Sequence, residues 1–134
     1  MCHPQKVTKP QANQLITFLT TDKFDETKSF LEDILEFPLT LDQAHCRIYK
    51  ISPGAFVGIC RCDEPMPEPN RVTISIQTHD VDGWYEKITR GGLATDGTPR
   101  WNERYGIYHF FTWDPNGFSY EFQEFRIEGW DHSA

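Results

Sequence analysis

Long apolar runs are missing from this 134-residue sequence. None approaches the ~18 residues that a membrane-crossing helix needs, so no membrane partner is expected. Cations are also in short supply, with thirteen Lys plus Arg against twenty Asp plus Glu, a formal charge of −7 and a pI near 5.1. Binding a nucleic-acid backbone calls for clustered cations, so no nucleic-acid partner is expected either. Cysteine is limited to Cys2, Cys46, Cys60 and Cys62. A domain of this size folds without disulfides, and the opening MCHPQKVTKPQANQ has no apolar signal core, so a cytoplasmic location and reduced structural thiols are the expectation. Cys60 and Cys62 share a strand face, yet a lone Cys-x-Cys falls short of the four ligands of a structural zinc site. His45 beside Cys46 leaves a minor metal alternative open. No Ser–His–Asp order, phosphate loop or H-E-x-x-H is present, which removes support for hydrolase and nucleotide readings.

Aromatic residues are plentiful: ten Phe, five Tyr and four Trp make 14% of the chain, enough to fill one core. Residues 1–13 are polar with two prolines and read as a tail, as do residues 127–134. Residues 15–20 (LITFLT) read as a strand. From Asp22, a plausible N-cap, Phe24, Phe30, Leu31, Ile34 and Leu35 recur at helical spacing until Pro38. Strands follow at 39–41, 46–51 and 55–62. Residues 63–70 (DEPMPEPN) have nothing to pack and form a linker. The order then begins again, with a strand at 72–77, a helix at 80–89 ended by Gly91-Gly92, a short strand at 93–95, a loop, and strands at 107–113 and 118–126.

Both halves therefore read strand, helix, three strands. The expected fold is α+β, two paired βαβββ modules (14–62 and 71–126) within a single domain (14–126), forming a curved mixed sheet around a cavity.

That order, with the segment FTWDPNGFSYEFQEF and its D-P-x-G-x-x-x-E pattern, resembles the vicinal-oxygen-chelate superfamily of glyoxalases, bleomycin-resistance proteins and extradiol dioxygenases. KFDETKSFLEDILEFPLTLD resembles that family's first helix and following strand, and HDVDGWYEKITRGG its second helix. The likeness runs over residues 14–125. It implies a two-fold dimer and a metal centre with one ligand from the first and one from the last strand of each half. Ile16 and Thr73 occupy the two first-strand positions, the strand at 55–62 has no Asp, Glu or His, and only Glu121 matches a ligand position. No metal cofactor is expected, a divalent ion held in another way being the alternative.

Alternation from Glu121 turns Ser119, Glu121 and Gln123 to one face, and the strand at 72 turns Thr73, Ser75 and Gln77 the same way. A solvated outer face explains this pattern, and so does a lined cavity; the resemblance implies the cavity. A five-residue DPNGF loop sets Trp113 opposite Ser119, Phe111 opposite Glu121 and His109 opposite Gln123. His109 and Glu121 become diagonal neighbours, a satisfied contact, a ligand contact or a catalytic pair. Arg100, Trp101, Arg104 and Tyr105 fall in a loop at the cavity mouth, where Arg104 is a further ligand candidate. Two readings follow. One is a homodimer without a metal that binds a small organic ligand, cationic or aromatic, through Thr73, Ser75, Gln77, His109, Phe111, Trp113, Glu121, Gln123 and Arg104. The other is a divalent-metal-dependent lyase, isomerase or dioxygenase of the glyoxalase type.

Overall fold

A computed structural model describes residues 12, 14–65 and 72–130. The rest of the expected N-terminal tail, positions 66–70 of the expected linker, and residues 131–134 of the expected C-terminal tail lie outside the described residues. The first module consists of β1 (Leu15–Thr21), α1 (Phe24–Ser29) running into a π-helical turn (Phe30–Ile34), β2 (Leu39–Asp42), β3 (Cys46–Ser52) and β4 (Ala55–Arg61). The second consists of β5 (Thr73–Gln77), α2 (Val81–Arg90), β6 (Arg100–Asn102), β7 (Ile107–Trp113) and β8 (Ser119–Phe125). Two βαβββ modules of an α+β fold result. No described helix is long and apolar enough to cross a membrane.

The helices start in different ways. Asp80 caps α2 as its carboxylate accepts the Gly83 N–H at 3.0 Å. At α1 the cap residue is Lys23, not Asp22, and the Thr21 hydroxyl accepts the Lys23 N–H at 2.8 Å. After Ser29 the helix widens, with Leu35 N donating to Phe30 O at 3.0 Å, and Glu36 ends it at φ 58°. Phe30, Leu31 and Leu35 are all buried as a result.

The modules keep separate sheets, ordered β1-β4-β3-β2 and β5-β8-β7-β6, with the β1–β4 and β5–β8 pairs parallel. Each expected βαβββ module thus contributes its own four-stranded mixed sheet. A cleft of about 240 Å³ lies between them, lined by Leu15, Thr17 and Phe56 on one side and Thr73, Ser75 and Ile76 on the other.

A single core unites the modules, because the helix of the first also lies on the sheet of the second. The Phe30 ring meets Tyr120 of β8 edge-on at 5.1 Å, and Phe37 meets Trp84 of α2 at 5.7 Å. Trp84 stacks on Phe122, which stacks on Phe110. Burying each such ring is worth roughly 1.5–3 kcal/mol. Polar groups add a clamp at the DPNG turn: Asn116 accepts from the Thr21 hydroxyl and donates to Thr27 Oγ1 at 2.9 Å. The turn itself is held by Asp114 Oδ1, which accepts the N–H groups of Asn116 and Phe118 at 2.9 and 3.0 Å.

The region before β7 departs from expectation. The strand expected at 93–95 is a single bridge between Thr95 and Thr112, and regular pairing comes later, at Arg100–Asn102. Gly97 (φ 135°) and Pro99 interrupt the run, so β7 is flanked by two short stretches in place of one strand.

Candidate functional site

Three strands of the second sheet each turn one row of side chains away from the helices. Across β5 and β8, Thr73 pairs with Ser119, Ser75 with Glu121 and Gln77 with Gln123. Across β7 and β8, Trp113 pairs with Ser119, Phe111 with Glu121 and His109 with Gln123. β6 adds Arg100 opposite His109. Tyr120, Phe122 and Phe110, in the alternate positions, are fully buried on the helix side.

Four of these side chains form a hydrogen-bonded chain. Gln123 Nε2 donates to Ser75 Oγ, Ser75 Oγ donates to Glu121 Oε1 at 3.0 Å, and Glu121 Oε2 lies 2.8 Å from His109 Nδ1. The His109 and Glu121 side chains retain only 8% and 12% of their exposure, so water screens their contact weakly. The Phe111 ring stands edge-on to the imidazole at 5.5 Å. Toward the rim, Thr73 and Trp113 are exposed. The chemistry is a largely buried carboxylate–imidazole pair beside the Phe111 ring.

Gln77 lies in the same row but serves the backbone, its Oε1 accepting the Phe125 N–H at 3.2 Å. Arg104 is not brought in. It lies in the turn after β6 with its guanidinium 5.4 Å from the Tyr105 ring centroid. The loop that was to hold Arg100 is β6, and Arg100 takes a place on the site face that the sequence reading did not give it. Its guanidinium bonds Asp96, whose Oδ1 also accepts the Phe111 N–H at 2.8 Å. Burial pushes the Asp96 carboxyl up, but the hydrogen bonds from Arg100 and Phe111 outweigh it and leave the group below its ordinary value. No signal in the sequence identified Asp96, since its role depends on the bridge at Thr95. On the opposite face, Glu124 is held below the ordinary carboxylate range by hydrogen bonds from Arg126 and then His79.

The cysteine expectation needs correction. Cys46 and Cys60 face each other across β3 and β4 with Cα atoms 4.3 Å apart and form a disulfide, leaving Cys62 free. The Arg61 N–H bonds the His45 carbonyl, which makes 46 and 60 a non-hydrogen-bonded pair, the closer of the two antiparallel pairings.

Strand order, the helix of each module and the D-P-N-G hairpin that carries Glu121 onto the outward row define the class of fold: it is that of the vicinal-oxygen-chelate superfamily. Solved structures with the same fold include a glyoxalase/bleomycin resistance protein/dioxygenase from Nocardioides, at 16% identity and a TM-score of 0.66, over 97% of this chain and 92% of that one. A bleomycin resistance determinant encoded on the transposon Tn5 aligns at 16% identity and a TM-score of 0.70, over 85% of this chain and 98% of its own. A lactoylglutathione lyase from Agrobacterium tumefaciens aligns at 18% identity and a TM-score of 0.67, over 91% and 100%. No family model and no curated protein matches the sequence.

The residues present do not fit the divalent ion that this fold implies. Both Glu121 oxygens are already bonded within the chain. The β1 and β4 rows that would complete a coordination sphere hold Ile16, Phe18, Phe56 and Gly58. No group of three or more His, Cys, Asp or Glu among the described residues is placed to hold a metal.

Proposed function

We propose that this protein binds a small organic molecule on the outward face of the second sheet, without a divalent-metal centre, and works as a homodimer. The observation that carries the reading is the hydrogen-bonded chain Gln123–Ser75–Glu121–His109, with Gln123 and His109 buried and Ser75 exposed, which ends beside Phe111. Binding sites combine apolar walls with a few convergent polar groups, and this face has that make-up. Because both Glu121 oxygens have partners within the chain, its charge reaches a ligand through His109. That favours an aromatic ligand over a simple cation.

A second copy is supported by the first sheet. Ile16, Phe18 and Leu41 on its outer face are 40%, 53% and 45% exposed. Phe18 lies across Gly58, where a Cβ would come within 2.4 Å of its ring, so the row is apolar and close to flat. Such a face, in a sheet whose edge among the described residues is β1, invites an isologous partner.

One purified sample tests both parts. After exposure to Zn, Ni, Mn and Fe salts and desalting, the expected metal content is far below one ion per chain. Sedimentation is expected to give twice the 15.7 kDa chain mass at micromolar concentration. One tightly held ion per chain, lost on Glu121→Gln, contradicts the metal-free reading; a monomer throughout contradicts the dimer.

A further inference from the structure

We propose that His109 Nε2 is the proton acceptor for a ligand carrying an acidic hydroxyl on an aromatic ring, a phenol by chemical class. This rests on the small-ligand reading of the same face and adds the ligand's chemistry to it.

The direction of each hydrogen bond in the chain follows from what each group has to give. The Gln123 amide donates to Ser75 Oγ, so the Ser75 hydrogen is directed to Glu121 Oε1. A carboxylate has no hydrogen of its own, so the bond between Glu121 Oε2 and His109 requires the hydrogen on Nδ1. A neutral imidazole has only one N–H, which leaves Nε2 with a bare lone pair. Nε2 has no hydrogen-bond partner among the described residues, and it is not one of the sealed, unsatisfied atoms. It is therefore an acceptor presented outward from a residue that is itself only 6% exposed.

The charged groups around His109 come from two strands and a loop. Glu121 comes from β8, and Asp96 and Arg100 come from β6 and the loop before it. β5 brings Ser75 and Gln77, which carry no charge. Asp96 and Arg100 pair with each other, and Glu121 is the carboxylate in direct contact with His109. When a phenol is bound, its O–H bond breaks and the electron pair stays on oxygen. An Nε2–H bond forms, and the imidazolium then lies between the phenolate and Glu121. The ring of the ligand has a flat wall to meet in Phe111, edge-on to His109 at 5.5 Å. His109 is the group that touches the ligand. Glu121, Ser75 and Gln123 are positioning residues.

The test uses p-nitrophenol and its methyl ether p-nitroanisole, which has the same ring and no hydroxyl hydrogen. Binding is followed by quenching of tryptophan fluorescence, and ionisation by the yellow phenolate absorbance at a pH where the free probe is colourless. The expected result is that bound p-nitrophenol turns yellow and binds at least about tenfold tighter than the ether, the range for a hydrogen bond to a charged partner. Glu121→Gln and His109→Gln should still quench but stay colourless. Equal binding of the two probes, or quenching without colour in the wild type, overturns the proton-acceptor role and leaves the ligand site standing. Quenching by neither probe overturns the phenol assignment and counts against the site itself.

Discussion

Glu121 is held from both ends, by Ser75 and by His109, and this decides what the face does. Its place in the row was legible in the sequence, because the D-P-x-G turn sets the β7–β8 register and alternation does the rest. The Gln123–Ser75 half of the chain was not legible as a contact, since it depends on the parallel register of β5 against β8, strands joined by no local turn. Asp114 makes a separate prediction at the same scale. It is 5% exposed, and burial pushes its carboxyl above the ordinary value against the pull of hydrogen bonds from Phe118 and Asn116. A carboxyl raised by folding contributes stability that is fully present below its unfolded pKa and is lost as pH rises through the folded one. Asp114→Asn removes this dependence. The stability of the wild type relative to the variant, read from urea midpoints, should therefore fall as pH rises out of the ordinary carboxylate range. A difference that grows with pH contradicts the assignment.

Among the elements, β1, β3, β4, β7, β8 and α2 follow the apolar periodicity of the sequence closely. Two elements do not, for identifiable reasons. The first helix widens into a π turn because Phe30, Leu31 and Leu35 are all drawn into a core that includes the other module's Tyr120, a tertiary demand with no local signature. The strand next to β7 slips from 93–95 to Arg100–Asn102, where Trp101 and the Asp96–Arg100 pair sit, and so what reads as a mouth loop becomes sheet. The DPNG hairpin turn also joins the modules, through Asn116. Asn116→Ala leaves the buried Thr21 and Thr27 hydroxyls without that partner, at a cost of about 1–3 kcal/mol in unfolding free energy. Urea denaturation that matches wild type would mean the clamp carries no weight.

For the whole molecule, two modules were legible from the repeat, but their mutual arrangement was not. Helix–sheet contacts across the halves place both helices in one core and turn the two outward sheet faces to solvent: a polar row with a buried His–Glu pair on one, an apolar row around Phe18 on the other. In the proposed function, ligand binding falls to the second sheet and pairing to the first. Amide chemical-shift mapping with a library of small aromatic fragments tests the division most directly. The account predicts that the shifted amides cluster at Ser75, His109, Phe111 and Glu121, and that in His109→Gln the cluster stays in place with weaker binding of phenolic fragments. Shifts gathered instead around Phe18, Cys46 and Cys60 would contradict it.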